Sequence, residues 1–153
     1  MDMYLITIGT VKVKALRELI DDYKDRITNY LNFHLIELNE ENRLSDKENM
    51  AKEAEYIKKV LPNDSYIVSL AIEGKKYTSP GFADFIERHY AYDARPLVFI
   101  IGGSAGIDSS IKSMSQSLIS FSDMTFPHQL MRLIALEQIY RAETIIHHQK
   151  YHK

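Results

Sequence analysis

The residue with the clearest chemical potential is His128, which follows Pro127 at the start of the last predicted helix. An imidazole there can contact an anion or a substrate, with the positive end of the helix dipole close by. A solvent-exposed histidine near a helix start would have the same signature. The preceding segment SFSDMTF, residues 120–126, is unusual because two phenylalanines and a methionine stand among small polar residues. The segment and the histidine together form the first candidate site.

A second candidate is the turn GGSAG, Gly102–Gly106, which follows an apolar run. Glycines there permit positive φ angles and let a ligand approach the backbone. The turn lacks the G-x-G-x-x-G spacing of dinucleotide-binding folds, and it also lacks the lysine of a phosphate-binding P-loop. A tight connection between a strand and a helix therefore explains the turn equally well.

Few other catalytic arrangements fit the composition. The chain has no cysteine, which excludes disulfides, thiolate metal sites and cysteine nucleophiles. No Ser-His-Asp set, metal-ligand spacing or pair of catalytic carboxylates stands out. Glu137 and Arg141 are spaced as in an ordinary ion pair along a helix. The terminal residues Tyr151, His152 and Lys153 could stack on a base and hold a phosphate, or simply fray.

The composition is that of one ordinary globular domain, residues 1–153. Charged residues make up 26% of the chain and hydrophobic residues 45%. No apolar run is long enough for a bilayer and no signal peptide is evident, so we expect no membrane contact and a cytoplasmic location. The net charge of −2 argues against nonspecific coating of nucleic acid. Residues 128–153 hold four Lys or Arg, only two Glu and four of the six histidines, so a phosphate-bearing partner would bind there; a solvated tail that happens to be basic would have the same composition.

Apolar, β-branched runs alternate along the chain with segments of helical periodicity. This alternation predicts an α/β fold with a mostly parallel sheet. Ser45 and Glu48 form a capping-box pattern, and Ser79 is predicted to cap a helix that has Pro80 at its first position. The predicted strands are residues 3–9, 33–38, 65–72, 96–103 and the short segment 117–120; the main predicted helices are residues 13–31, 45–61, 79–90 and 127–147.

The last predicted helix has two apolar sides. One side holds Leu130, Leu133, Ile134 and Tyr140, and the other holds Met131, Ala135, Ala142 and Ile145. One small sheet cannot cover both sides. A central helix within the monomer is one solution, but a final element rarely inserts into its own finished core. We therefore expect a second copy of the chain to cover the remaining side.

Loops at the carboxyl ends of the strands predict where a ligand would bind. In open parallel sheets, ligands lie beyond those ends. Three loops are predicted there, with the sequences EGKKYTSPG (residues 73–81), GGSAGIDSS (residues 102–110) and SFSDMTFPH (residues 120–128). Together they predict one cleft.

Four segments taken together are far more specific than any single motif. They are LAIEGK (residues 70–75), FIIGGSAG (residues 99–106), LISFSDMTFPHQLMRLIALEQIYRA (residues 118–142) and the terminal YHK. The chain resembles, over essentially its whole length, the RlmH (YbeA) family of bacterial methyltransferases in the SPOUT superfamily. The resemblance implies methylation of N3 of a pseudouridine in large-subunit (23S) rRNA. The implied methyl donor is S-adenosylmethionine (SAM), the implied partner is the assembled ribosome, and no DNA partner is implied.

The resemblance also implies a deep trefoil knot at the C-terminus and a homodimer formed through the last helix. The segment 121–126 would be the knotted loop that wraps SAM, with an apolar slot and backbone groups for the adenine. A side chain at Gly102 would clash with the cofactor. The implied cofactor-binding residues are Leu70, Gly102, Gly103, Phe121, Ser122, Asp123, Met124, Thr125 and Phe126.

The attacked ring nitrogen carries a proton that the site must help to remove. His128 is the candidate for this step or for orienting the base. Arg132 or Arg141 could instead stabilise the developing negative charge. Residues 151–153 of the other subunit would hold the nucleotide that is flipped out of the RNA.

Two alternatives stay open. The chain could be a non-catalytic ribosome-binding protein of the same fold. It could also be a nucleotide-binding module that uses the GGSAG turn, with Asp123 as a ribose-binding acid. The missing glycine spacing and the position of Asp123 argue against the second alternative. Because the chain lacks a broad basic surface, we expect free rRNA to be a poorer substrate than the ribosome.

Overall fold

Five parallel strands form one sheet, and helices cover both of its faces, in a computed structural model that describes residues 1–153. The strand order is β2-β1-β4-β3-β5. The α/β fold with a parallel sheet is therefore confirmed. The elements are β1 (Asp2–Ile8), α1 (Lys14–Thr28), β2 (Asn32–Leu38), α2 (Asp46–Val60), β3 (Tyr66–Lys76), α3 (Ser79–Tyr92), β4 (Leu97–Ile101), α4 (Ser109–Met114), β5 (Ser117–Ser120) and α5 (His128–Ile146).

The inner strands β1 and β4 are buried on both faces of the sheet, which explains their continuous apolar sequences. Alternate residues point to opposite sides of the sheet. Met3 and Leu5 of β1 pack with α1, α3 and α5, whereas Ile6 and Ile8 pack with α2 and α4. All five residues of β4 are buried in the same alternating way. The sheet therefore separates two apolar layers.

The helix starts agree with the sequence patterns at one position and differ at another. Ser45 Oγ accepts a hydrogen bond from the backbone of Glu48, so the predicted cap at Ser45 is confirmed, and the Glu48 carboxylate accepts from the Ser45 hydroxyl at 2.9 Å. The predicted cap of α3 at Ser79 is wrong: Thr78 Oγ1 accepts from the Gly81 amide at 3.0 Å. The Ser79 hydroxyl instead donates to Gln138 Oε1 of α5 at 2.8 Å. Because the Ser79 hydroxyl is engaged in this tertiary contact, the preceding residue, Thr78, caps the helix.

Strand β3 continues beyond the predicted end at Ile72, where we expected a turn. It pairs with β5 at Leu70 and, after a register shift, again at Lys75, with Ile119 as the partner at both points. The intervening residues 71–74 are displaced from the ladder as an extended bulge. Gly74 makes this possible, because a Cβ at that position would lie only 2.6 Å from the backbone of Ile119. The local sequence resembles a turn, but pairing with β5 extends the strand.

Replacing Gly74 with alanine should therefore destabilise the protein. We expect the free energy of unfolding to fall by about 2–4 kcal/mol, because the new methyl group overlaps backbone atoms that cannot rotate away. Urea denaturation would measure the loss. Gly81→Ala is a matched control, since its Cβ would come no closer than 3.1 Å to the Thr78 hydroxyl. Equal stabilities of the two variants would contradict the close approach at Gly74.

Helix α5 lies in the monomer between α1 and α3, against the sheet. Ala135, Leu136 and Ile139 are almost completely buried there. The expectation that a final helix stays outside its own core is therefore wrong for this side of α5. The chain leaves β5 at the sheet edge and returns beneath β1 and β4, a path consistent with the C-terminal knot. Leu130, on the other apolar side, remains 42% exposed.

A buried carboxyl group joins α5 to α3. The Tyr90 hydroxyl donates to Glu143 Oε1 at 2.7 Å, and Glu143 is only 1% exposed. Burial raises the pKa of Glu143, although the Tyr90 hydrogen bond and the nearby His147 act in the opposite direction. The folded protein therefore binds a proton more readily at this carboxyl than the unfolded chain does.

Glu143 should make folding more favourable as the pH falls. Because its folded-state pKa is raised, this contribution is complete below the unfolded-state pKa and is lost as pH rises through the folded-state pKa. We expect Glu143→Gln to be more stable than the original chain at neutral pH, by on the order of 1 kcal/mol, with the difference shrinking on acidification. Thermal unfolding of both proteins across the acidic range would test this. A difference that is constant with pH would contradict it.

Candidate active site

A cleft of about 660 Å³ opens at the carboxyl ends of β3, β4 and β5. Its position agrees with the general rule for parallel sheets. Half of its lining residues are hydrophobic. Eight of the nine residues predicted to hold a cofactor line it, namely Leu70, Gly102, Gly103, Phe121, Ser122, Met124, Thr125 and Phe126.

Two serines, Ser120 and Ser122, fix the backbone of the segment 121–126 through hydrogen bonds. Ser120 Oγ donates to the carbonyl of Ser122 at 2.9 Å, and the amide of Met124 donates to Ser122 Oγ at 3.0 Å. Phe121 packs edge-on against Phe82 of α3, with ring centroids 5.4 Å apart. Met124, by contrast, is 74% exposed. The segment therefore combines a fixed backbone with an apolar surface on the cleft.

Asp123 is the predicted binding residue that does not line the cleft. Its carboxylate lies 2.5 Å from the ammonium of Lys76 and joins the segment to the end of β3. The bulge residues 71–73 line the cleft instead, and Glu73 there pairs with Lys112 of α4 at 2.6 Å. These bulge residues were missed because the sequence after Ile72 resembles a turn. With its carboxylate engaged by Lys76, Asp123 does not support the ribose-binding alternative.

The glycine turn is constrained by its own backbone. A Cβ on Gly102 would lie 2.5 Å from the Gly106 carbonyl oxygen, and Gly106 itself has a φ of +99°. A side chain at Gly102 would thus collide with the turn itself, whereas we expected the cofactor to be the obstacle. A Cβ on Gly103 would lie 3.0 Å from Glu40 Oε1. Substitutions at Gly102 would therefore disturb the turn whether or not a ligand is bound.

His128 is the first residue of α5 and lines the cleft. Its Nε2 atom lies 3.5 Å from Oε2 of Glu40, which belongs to the connection between β2 and α2. Oε1 of Glu40 accepts from the amide and hydroxyl of Ser104, at 2.9 and 2.6 Å. Burial alone would raise the pKa of Glu40, but the Ser104 hydrogen bonds and the charges of His128 and Arg132 lower it overall. Glu40 is therefore a carboxylate facing the imidazole.

Arg132 is completely buried and, unlike His128 one turn earlier in α5, is not a lining residue of the cleft. Its guanidinium donates to Glu37 at 2.6 Å and to the carbonyl oxygens of Ile8 and Gly9 at 3.2 and 3.0 Å. Burial lowers the pKa of Arg132, which still leaves the guanidinium protonated at neutral pH. The guanidinium thereby fastens α5 to the end of β1. Its position favours a structural role over contact with a substrate.

Arg141 lies far from His128 along the same helix. Thirteen residues of helix correspond to about 20 Å. Arg141 pairs with Glu137 at 2.6 Å, as the spacing predicts, and its guanidinium lies 4.7 Å from the ring centroid of Tyr151. His152 Nδ1 is 3.2 Å from the same guanidinium. The structure therefore groups Arg141 with the C-terminal residues and separates them from the cleft of their own chain.

Two further observations concern metal ions and membranes. No group of three or more histidine, aspartate or glutamate side chains is arranged to hold a metal ion. None of the helices is both long enough and apolar enough to cross a bilayer. The titratable side chains that line the cleft are Glu73, Lys112 and His128. Glu73 and Lys112 pair with each other at 2.6 Å, whereas His128 has the Glu40 carboxylate 3.5 Å away.

Comparison with known proteins identifies the class and then the family. A family model described as "Predicted SPOUT methyltransferase" matches residues 1–152. With the parallel sheet and the cleft at its strand ends, this match defines the chain as a SPOUT methyltransferase. The proteins named ribosomal RNA large subunit methyltransferase H from Streptococcus uberis and Acholeplasma laidlawii are 42% and 41% identical to it, over the full length of both chains. The chain belongs to the ribosomal RNA large subunit methyltransferase H family.

A solved structure supports the fold independently. The structure of a "probable methylase family protein" from Haemophilus influenzae Rd KW20 aligns with this chain at a TM-score of 0.54 and 13% identity. The alignment covers 99% of this chain and 70% of that one. At this level of identity the likeness concerns the fold alone.

Proposed function

We propose that the protein transfers a methyl group from SAM to N3 of a pseudouridine in 23S rRNA, on the assembled ribosome. The observation that carries the proposal is full-length similarity to ribosomal RNA large subunit methyltransferases, joined to a cleft at the expected strand ends. A non-catalytic ribosome-binding protein of the same fold remains the alternative. No feature of the cleft favours that alternative, because the binding loop, glycine turn and imidazole are all in place.

The cleft suits SAM in size and chemistry. Its volume of about 660 Å³ lies within the range usual for small-ligand pockets. The apolar side chains of the segment 121–126 and Leu70 offer a slot for the adenine, and the glycine turn lets the ligand approach the backbone. When bound, SAM supplies an electrophilic methyl group on a positively charged sulfur.

The chain's own contribution to catalysis is to position the reactants, exclude water and accept a proton. His128 stands at the wall of the cleft, where an imidazole can accept the N3 proton at neutral pH. Alignment of the reacting atoms in a partly apolar site supplies much of the remaining rate enhancement. Arg132 contributes indirectly: its hydrogen bonds hold the start of α5, which carries His128, against the end of β1.

The position of Arg141 and the C-terminal residues supports a shared active site. Arg141 lies about 20 Å along α5 from His128. Tyr151 and His152 fold back on the same part of the helix, against Glu137 and Arg141, so they would serve the cleft of another subunit. Antiparallel packing of two α5 helices would bring the end of one to the start of the other. The exposed Leu130 and the partly exposed Ile134 offer an apolar surface for this homodimer. Tyr151, His152 and Lys153 would then hold the nucleotide.

Mixing two inactive variants tests the shared site. His128→Asn removes the imidazole and Tyr151→Ala removes the ring at the C-terminus. If the site is shared, each variant alone is inactive, but co-refolded mixtures recover about a quarter of full activity. Random assortment gives half heterodimers, each with one intact site. Absence of recovery, with heterodimers demonstrated by mass spectrometry, would place the whole site within one chain.

Transfer of labelled methyl groups from SAM to ribosomes tests the reaction. Ribosomes from cells that lack this gene are the substrate, and mass spectrometry identifies the product nucleoside. We expect label on N3 of a pseudouridine, with naked rRNA a much poorer substrate than ribosomes. SAM binding without any transfer would favour the non-catalytic alternative. Equal rates on naked rRNA and ribosomes would contradict recognition of the assembled particle.

A further inference from the structure

Glu40 connects two walls of the cleft that are distant in sequence. It lies between β2 and α2, outside the loops at the strand ends that define the cleft. One carboxylate oxygen accepts two hydrogen bonds from Ser104, 64 residues away, while the other faces His128. The side chain is only partly exposed, at 26%. A single carboxylate therefore contacts both the glycine turn, through Ser104, and the imidazole of His128.

The two ring nitrogens of His128 have different surroundings. Nε2 is buried and has no hydrogen-bond partner, although Glu40 Oε2 is only 3.5 Å away. Nε2 lies on the side of the ring towards Gly9 and Glu40, while the residue itself lines the cleft. Other charged groups near this end of α5 are Arg132, held by Glu37, and Arg17, which pairs with the same Glu37. Glu40 is therefore the carboxylate that faces the imidazole.

We propose that Glu40 is a positioning residue, which fixes His128 in the tautomer with the proton on Nε2 and leaves Nδ1 as the acceptor facing the cleft. A carboxylate accepts but cannot donate, so the facing ring nitrogen must be the one that carries hydrogen. A carboxylate that orients a catalytic imidazole through its other nitrogen is a known arrangement in enzymes. The assignment of the tautomer stands on this geometry alone.

The catalytic consequence rests on the proposed function. During methylation, the proton leaves N3 of the base and binds Nδ1 of His128. The resulting imidazolium carries hydrogen on both nitrogens, and its Nε2–H faces the Glu40 carboxylate, which stabilises the positive charge. After the product leaves, Nδ1 releases the proton to solvent. The ring then returns to the starting tautomer without rotating.

The first test reads the tautomer directly in the protein without ligand. Nitrogen-15 labelling of histidine and long-range proton–nitrogen correlation spectra, recorded across a range of pH, distinguish the two neutral tautomers from each other and from the imidazolium. His128→Asn assigns the signal. We expect Nε2–H in the original chain and a shift towards Nδ1–H in Glu40→Gln, because the glutamine carbonyl can retain Ser104 while its amide donates to Nε2. Nδ1–H in the original chain, or no change in Glu40→Gln, would overturn the proposal.

A matched control separates this effect from a general loss of negative charge. Glu41→Gln alters the neighbouring carboxylate, which accepts from Tyr56 at 3.1 Å. We expect the His128 spectrum and the thermal midpoint of this control to match those of the original chain. A tautomer change in Glu41→Gln equal to that in Glu40→Gln would also overturn the proposal, because the cause would then be the surrounding field.

The second test measures methyl transfer by the same variants. We expect Glu40→Gln to lower kcat roughly 100-fold and leave the KM for SAM within about threefold, as the wrong tautomer removes the acceptor but not the cofactor site. A tautomer change without any activity in the original chain would refute the proposed function and leave the positioning role standing. A tautomer change with an undiminished kcat would refute the catalytic role of the His128–Glu40 pair.

Discussion

Replacing His128 with asparagine is expected to lower the kcat of methyl transfer roughly 10²–10⁴-fold, the usual contribution of a general base. His128 lies on the wall of the cleft, its Nε2 faces Glu40, and it is the first residue of α5. Asparagine keeps a polar side chain at a helix start but has no nitrogen that accepts a proton at neutral pH. Single-turnover transfer on ribosomes, with SAM in excess, would measure the change.

The chain supplies a control for this experiment. His148 lies beyond the end of α5 at a φ of +56°, a conformation that asparagine tolerates well, and its side chain is exposed. We expect His148→Asn to fold normally and to transfer methyl groups at close to the original rate. If His128→Asn retains more than about a tenth of the original kcat, proton removal must be assigned to another group.

The second large effect is on stability. We expect Arg132→Met to lower the free energy of unfolding by about 3–5 kcal/mol, as is typical when one partner of a buried ion pair is removed. The change leaves the carbonyls of Ile8 and Gly9 without their donor, and Glu37 loses one of its two guanidinium partners. Urea denaturation, monitored by circular dichroism, would measure the loss.

Arg17→Met is the matched comparison, because Arg17 donates to both carboxylate oxygens of the same Glu37, each at 2.7 Å. Its side chain is 32% exposed, so we expect a smaller loss of about 1 kcal/mol. The comparison also decides what Arg132 does. An Arg132→Met protein that is as stable as the original chain but cannot transfer methyl groups would assign Arg132 to the chemistry and refute its structural role.

The sequence alone determined the fold class and the position of the cleft. Apolar runs such as residues 97–101 indicate strands buried on both faces, because a parallel sheet between two helix layers has no polar side. The carboxyl ends of such strands meet at one edge, which brought three distant loops together in the prediction. The family resemblance assigned most of the residues that line the cleft, since it rests on those same loop sequences.

Only the tertiary structure decided how individual side chains are used. His128 and Arg132 lie four residues apart on α5, yet one lines the cleft and the other is enclosed against the end of β1. Helical periodicity places them on the same side but does not reveal what each of them meets.

The same limit applies to Asp123, which turns to Lys76, and to Glu40, whose partners are His128 and Ser104. Local sequence patterns indicate whether a segment is a helix or a strand and which side of it is buried. The partner of a polar side chain depends on which distant segment the fold brings within about 3 Å of it, and no short stretch of sequence contains that information.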